Sequence, residues 1–589
     1  IKVMPIEKKW VIKEQGNPEK VASLAAALGI SPVLANLLVQ RGIETPQEAS
    51  RFFNPQLSDL HDPFLMKDMD KAVRRVSEAV RRGESIMVYG DYDVDGTTAV
   101  ALVYIFLRKI GHTNLMFYIP DRYTEGYGIS IRGIDYAARK GVSLIITLDC
   151  GIKAVEKVAY AKEKGIDFII CDHHLPGDEV PHAVAVLDSK QEDCHYPFKE
   201  LSGCGVGFKL VQGYCQRHDI PFSQIESLLD LCAVSIASDI VPLTGENRIL
   251  AHYGLKRLNE KPNKGLHSII KICGLEKHSI TIDDIVFKIG PRINAAGRMR
   301  MDEDSDAHSG GHSAVNLMIE RDENAAEEFG SVIDMFNSDR KSIDRSVTQE
   351  AHEYIESHPE YKNRKSTVIY NPKWMKGIVG IVASRLIETY YRPTVVLTMS
   401  NGFATGSARS VPGFDLYQAV ESCADLLENF GGHMYAAGMT MKPENVEAFK
   451  RRFNEYVEQH IDPSMLVPTV EIDSELLFSD ITPEFRRDLC RFQPFGPGNT
   501  APVFMTRGAS SRGDAKLVGA ELEHLKMDVV QRQKPNTSIS AIAFGQPTHY
   551  QWIRSGKPID LCYVVVENHY RGTVTPQLRV RDIKRSTEK

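Results

Sequence analysis

The chain has no apolar run approaching the roughly 20 residues that a helix needs to span a bilayer. Stretches such as Val100-Ala101-Leu102-Val103-Tyr104-Ile105-Phe106-Leu107 stop well short, so no membrane span is expected. The start, Ile1-Lys2-Val3-Met4-Pro5, lacks the basic-then-apolar pattern of a secretory leader, and export is not expected. Cysteine pairs at CxxC spacing are missing as well. The 10 cysteines are scattered, several of them (Cys171, Cys232, Cys562) inside apolar runs, which excludes a zinc-ribbon or disulfide scaffold and points to buried thiols in a reducing compartment, the cytoplasm. A strong positive balance is also absent. The net charge of −6 decides little, because it averages an acidic centre with any locally basic surface.

What is present is a set of apolar runs that end abruptly in acid. Ser85-Ile86-Met87-Val88-Tyr89-Gly90 gives onto Asp91-Tyr92-Asp93-Val94-Asp95-Gly96, Leu144-Ile145-Ile146-Thr147-Leu148 onto Asp149, and Phe168-Ile169-Ile170-Cys171 onto Asp172-His173-His174. Continuous apolar strands belong to parallel sheets covered on both faces, and such sheets bind ligands beyond their carboxyl ends. Carboxylates gathered there repel one another unless protons or cations intervene. Carboxylate and imidazole donors without thiolate pairs suit two Mn²⁺ or Mg²⁺ ions, as in a two-metal hydrolase. A calcium loop is excluded, since the twelfth position counted from Asp91 is Leu102 rather than glutamate and a strand stands where a helix is required. A solvated acidic turn would explain one cluster but not three.

At 589 residues the chain is too long for one core. Residues 1–69 read as an N-terminal helical segment and 70–260 as a doubly wound α/β domain with alternating strands and helices. Residues 261–356 read as a helical connector and 357–464 as a second α/β domain. The remainder, 465–589, has short Val-, Ile- and Thr-rich runs that suggest a small barrel. Its Arg579, Arg581, Lys584 and Arg585, with Tyr550, Trp552 and Tyr570, are candidates for a single-strand-binding surface. The polar run 301–312, with His308 and His312, reads as a flexible loop and not as a ligand source.

Asp172-His173-His174 resembles the signature of the DHH phosphoesterases. The chain is further similar to that family's single-strand-specific 5′→3′ exonucleases in five stretches, in this order: 90–96, Ser238-Asp239-Ile240-Val241-Pro242-Leu243, Gly290-Pro291-Arg292-Ile293-Asn294-Ala295-Ala296-Gly297-Arg298, 431–438, and Pro494-Phe495-Gly496-Pro497-Gly498-Asn499. The resemblance implies a DHH domain, a DHH-associated domain and an OB-like barrel, and hydrolysis of single-stranded DNA to 5′-mononucleotides in repair and recombination. It implies that Asp93 and Asp95 each bind one of two ions, that Asp149 bridges them, and that His173 and Asp239 complete the pair. Asp91 is either a further ligand or a base behind the ligands, and His174 either touches the scissile phosphate or is a structural histidine. Arg122, Ser407 and Arg409 would grip the 5′ end, Gly431, Gly432 and His433 would approach a phosphate, and Arg292, Asn294 and Arg298 would add substrate contacts. Met375 stands where the family often has histidine, and is left out of the site. A RecQ-type helicase and a single-strand-binding protein are implied partners. The alternatives are a DHH phosphodiesterase acting on short oligoribonucleotides or cyclic dinucleotides, and a non-catalytic replication scaffold.

Overall fold

Ile86–Gly90 and Leu144–Leu148 are buried at every position, which is why neither run alternates in polarity. Ile86, Val88, Ile146 and Leu148 face one core, and Met87, Tyr89 and Ile145 face the core on the opposite side of the sheet. In this computed structural model, which describes residues 6–299, 310–531, 534–570 and 573–587, the two strands form a five-stranded parallel sheet with Leu115–Tyr118, Asp167–Cys171 and Ala185–Leu187. Taken in chain order the strands lie 2-1-3-4-5 across the sheet. The order therefore reverses between Ile86–Gly90 and Leu144–Leu148, and a crevice opens where Asp91 and Asp149 follow.

Helices Gly290–Arg298, Gly310–Ile319 and Glu323–Ser357 build the connector. Most of the 301–312 run, His308 included, lies outside the described residues. His312 does not belong to a loop: it is buried in the first turn of Gly310–Ile319, its ring 5.1 Å from Phe117. Glycine at 310 lets that turn lie against the Ala296 carbonyl, where any Cβ would collide. On the 35-residue helix Glu323–Ser357, the buried Asp344 accepts from Arg340 at 3.1 Å and from Arg385 at 2.9 Å, the latter on the helix Val379–Tyr390 of the second α/β domain. That domain's sheet is mixed, in the order Leu427–His433, Ala436–Met441, Phe403–Arg409, Thr394–Ser400, Thr367–Tyr370.

The C-terminal barrel closes because Phe504–Ser511 pairs on one side with Ile559–Tyr570 and on the other with His524–Gln531. Two of its expected stacking faces are covered from within: Arg585 sits 4.4 Å over Trp552, and Tyr550 and Trp552 pack against the barrel core. The side chain of Tyr570 lies outside the described residues.

The N-terminal segment is not a separate unit. Lys9–Ile12 pairs in parallel with Thr469–Ile472, and Leu34, Leu37, Leu38 and Phe53 share one core with Phe485, Phe492 and Phe504. Arg248 of the first domain clamps the junction, its guanidinium 3.9 Å over Phe52 and donating to the carbonyl of Phe492 at 3.1 Å. Among the described residues no single helix is long and apolar enough to cross a membrane. A chain ending near Pro463 would strand the apolar face of the N-terminal helices in water. It is expected to aggregate, whereas removal of 1–55 together with 464–589 is expected to leave soluble protein, as size-exclusion chromatography of the two truncations would show.

Candidate metal centre and end-binding cleft

Asp93 caps the helix Val94–Lys109, accepting from the Gly96 amide at 2.8 Å. Asp95 lies in that helix's first turn and is buried. Its carboxylate accepts from the amides of Gly203 (2.7 Å) and Cys204 (2.8 Å), at the start of the helix Gly203–Arg217, and from Ser235 (2.7 Å). A helix N-terminus thus orients the acid, and the oxygen that accepts from Gly203 also lies 3.4 Å from His173 Nε2. Asp149 holds a left-handed backbone, φ 60°, just past its strand, and its Oδ1 lies 3.0 Å from His173 Nε2. Asp239 ends the helix Leu229–Ser238, 3.6 Å from the same nitrogen.

Two adjoining groups of acids and histidine each have donor atoms within 4.8 Å of one another: Asp91, Asp93 and Asp149, and Asp95, His173 and Asp239. Asp149 and His173 stand at the seam. Buried and unpartnered, Asp91 Oδ1 supports a ligand position better than a remote base. Burial first, and then repulsion among neighbours, pushes the carboxyls of Asp91, Asp149 and Asp239 well above the usual range and raises Asp93 too. Burial pulls His173 down, which favours the neutral, ligating imidazole. The donor set, oxygens with one imidazole nitrogen, fits Mn²⁺ or Mg²⁺.

Protons and cations compete for these carboxylates, so affinity for Mn²⁺ should fall as pH falls, and binding at neutral pH should release protons. Calorimetry in buffers of different ionisation enthalpy reads that release directly. A binding enthalpy independent of buffer would contradict the raised carboxyls.

Asp172 and His174 form a third group with Asp149 and His173, within which the two are bonded to each other. The oxygens of Asp172 accept from the amides of Ile152 (3.0 Å) and His173 (2.8 Å) and from His174 Nδ1 (2.6 Å). Burial raises its carboxyl, but the bond and charge of His174 outweigh that and leave it lowered; burial lowers His174, and the bond to Asp172 with the charges of Asp172, Asp95 and Asp93 leaves it raised. Tyr127 donates to the Asp149 carbonyl at 3.1 Å and lies 3.4 Å from His174 Nδ1.

A cleft of about 350 Å³ is lined by Asp91, Asp93, Asp95 and Asp239 together with Arg122 and Arg298. Arg122 stacks 4.3 Å over Tyr92. Arg298 donates to the Gly377 carbonyl at 3.1 Å. Burial first, then repulsion from Arg122, Arg409 and Arg340, pulls it down to about 9. A guanidinium stays protonated in proteins, so burial and its arginine neighbours leave its positive charge poorly compensated. Gly380, in the first turn of Val379–Tyr390, leaves room for Arg409 and Ser407: a Cβ there would stand 2.9 Å from Arg409 Nη2 and 3.3 Å from Ser407 Oγ. The same helix has no side-chain cap. Among the described residues no carboxylate pairs with Arg122, Arg298 or Arg409. His433, at the tip of Leu427–His433, is exposed and feels the charges of Arg409 and His174. Gly431 and Gly432 lie in that strand rather than in a turn, with Gly432 pressed against the Ala436 carbonyl.

Two expected substrate residues stand elsewhere. Arg292 is paired with Asp334 at 2.8 Å and does not line the cleft. Asn294 lines it but spends its carbonyl on the Val94 amide at 3.2 Å, which fixes the Asp93 turn. Met375 packs at the edge of a core. Sequence reasoning missed Tyr127, Ser235 and the Gly203 turn. The run Ser202-Gly203-Cys204-Gly205-Val206-Gly207 was the available signal, since a glycine-rich helix start is an anion site, here filled by Asp95 itself.

Such a crevice, with acids at a switch point and a second α/β domain closing over it, defines a DHH-type phosphoesterase architecture. Family models agree: the DHH family, N-terminal domain matches residues 85–236, the DHHA1 domain 363–459, and the RecJ OB domain 472–582. The single-stranded-DNA-specific exonuclease RecJ of Bacillus subtilis (strain 168) is 37% identical over 98% of this chain and 70% of its own length, and that of Escherichia coli (strain K12) 32% identical over 96% and 97%. The crystal structure of RecJ in complex with Mn²⁺ from Thermus thermophilus superposes with a TM-score of 0.82 at 26% identity, covering 98% of this chain and 79% of that one. The chain belongs to the RecJ family.

Proposed function

We propose that this protein is a metal-dependent exonuclease that hydrolyses single-stranded DNA from the 5′ end to 5′-mononucleotides, in the cytoplasm, in DNA repair and recombination. The observation that carries the reading is one cleft lined by acids of two adjoining ligand groups together with unpaired arginines. Asp91, Asp93 and Asp149 would hold one ion and Asp95, His173 and Asp239 the other, with Asp149 the ligand they would share. Two such ions supply an activated water and offset charge on the attacking and leaving oxygens of a phosphodiester. His174, its Nδ1 held by Asp172, presents Nε2 to the scissile phosphate. Arg122, Arg298 and Arg409, with Ser407 and His433, hold the 5′-terminal phosphate, because planar guanidinium forks bind phosphate bidentately. Asn294 positions the Asp93 turn, and Arg292 is set aside.

In the same reading 70–260 is the catalytic domain, 261–356 the connector, 357–464 the closing domain, and 465–589 the nucleic-acid-binding barrel, to which 1–69 adds its helices. A scaffold that had lost catalysis would not keep every ligand position filled. Because the substrate is a single strand, an unwinding enzyme of RecQ type and a single-strand-binding protein are the partners expected. Digestion of 5′-labelled and 3′-labelled single-stranded DNA and RNA tests the proposal. Early release of labelled mononucleotide from the 5′-labelled DNA alone is expected, chelator should stop it and Mn²⁺ or Mg²⁺ should restore it; release first from the 3′ label, or a preference for dinucleotides over long strands, would overturn it.

A further inference from the structure

Directly after Asp239, Ile240 has φ 58° and is 65% exposed. A β-branched residue in the left-handed region is a genuine outlier, and such strain clusters where a side chain is needed. Leu175, directly after His174, is 69% exposed. Both follow closely on residues of the Asp95, His173 and Asp239 group in the chain, Ile240 next to Asp239 and Leu175 two residues past His173.

Leu175 also lines a second cleft, of about 670 Å³, together with Lys190, His195 and Lys199, and with the opposing charges of Glu192 and Glu200. Lys190 is fixed by its amide, which donates to the buried Asp188 at 2.9 Å. Among the described residues no carboxylate pairs with its ammonium, yet its charge acts on both Asp239 and His173. From Ile240 the chain runs on to Leu243, whose amide donates to the Pro497 carbonyl at 2.7 Å, seven residues before the first long barrel strand, Phe504–Ser511. The charge of Lys190 in the second cleft reaches the Asp239 and His173 end of the metal centre, whereas the charge of Arg122 reaches Asp91.

We infer that this cleft seats the strand just past the scissile bond, with Lys190 binding the phosphate that follows the second nucleotide and with Leu175 and Ile240 flanking that nucleotide's base. A 5′-terminal nucleotide held by Arg122, Arg298 and Arg409 at the Asp91 end leaves the next nucleotide toward the other ligand group, to whose Asp239 and His173 Lys190 extends its charge and beside which Leu175 and Ile240 follow in the chain. Lysine suits a phosphate met at varied angles, being a point charge on a flexible stem. An aliphatic jaw accepts any base face, which fits a nuclease without sequence preference.

The inference rests on the exonuclease reading, and a comparison of short substrates separates the two. A 5′-phosphorylated dinucleotide has no phosphate beyond the scissile one, and a trinucleotide has one. Lys190→Gln should lower the ratio of kcat/KM for trinucleotide over dinucleotide about tenfold, the effect of losing roughly 1.4 kcal/mol of a charged contact. Lys190→Arg should restore most of it. Ile240→Asn, whose side chain tolerates the left-handed backbone, should lower the preference for a normal over an abasic second nucleotide severalfold. Ratios equal to those of the unmutated protein in both variants would overturn the inference while leaving the exonuclease reading intact. Failure of the unmutated protein to cleave any of these DNAs would sink the exonuclease reading instead.

Discussion

Asp149→Asn is expected to abolish hydrolysis, by about 10³-fold or more, since removing a group shared by both ion sites forfeits several kcal/mol of charge stabilisation at tenfold per 1.36 kcal/mol. The same variant should make the metal-free protein more stable at neutral pH. Burial and repulsion raise the Asp149 carboxyl in the folded state, so the folded protein loses stability as pH rises from the ordinary aspartate range through that raised value. An amide removes this loss. Thermal unfolding in chelator should therefore show a higher Tm for the variant at neutral pH, by about 2–4 °C for each kcal/mol relieved, and no gain in acid. Asparagine is the informative choice, because Asp149 sits at φ 60°; alanine there would add roughly 1–2 kcal/mol of backbone strain and blur the result. Near-normal turnover with saturating Mn²⁺ would exclude a shared ligand.

The second large effect is expected at Arg409. A half-buried guanidinium without a carboxylate partner among the described residues, close enough to Arg298 for their charges to interact, with Arg122 acting on Arg298 as well, is arranged for a terminal phosphate. Arg409→Ala should weaken binding of 5′-phosphorylated single strands by about 10–100-fold, the equivalent of 1.5–3 kcal/mol for hydrogen bonds to a charged group. Strands with a 5′-hydroxyl should lose much less. Affinities for 5′-phosphorylated, 5′-hydroxyl and 5′-blocked oligonucleotides, measured on metal-free protein, check this without depending on turnover. Equal losses on all three would show that Arg409 does not read the end.

The acid groups were legible because both determinants are local. Burial on two faces makes each strand continuously apolar, and the switch point places the acids just beyond, so Asp91, Asp93, Asp149 and Asp172 can be read from their runs alone. Asp239 ends a helix and was found only through resemblance, as were Arg122, Ser407 and Arg409, which come together from separate elements. Arg292 shows the limit of such transfer. It belongs to the same helix as Arg298, yet the six-residue offset turns it toward Asp334 and away from the cleft. His312 was misread because polar, glycine-containing sequence signals a loop, while its glycines in fact permit a close helix crossing. The shared core of the N-terminal helices and the barrel had no local signature. Its two halves are each amphipathic, and nothing in either names the other.

That shared core sets a problem of timing during synthesis. Lys9–Ile12 waits for a partner strand that begins at Thr469, and the apolar face of the N-terminal helices waits longer still for Phe485, Phe492 and Phe504. At roughly 5–20 residues per second, the ribosome takes on the order of 20–90 s to deliver them. Throughout that interval the first domain can complete its parallel sheet, while Leu34, Leu37 and Leu38 remain open to any sticky neighbour. The nascent chain is therefore a natural client for a chaperone that shields its leading end until its trailing end arrives.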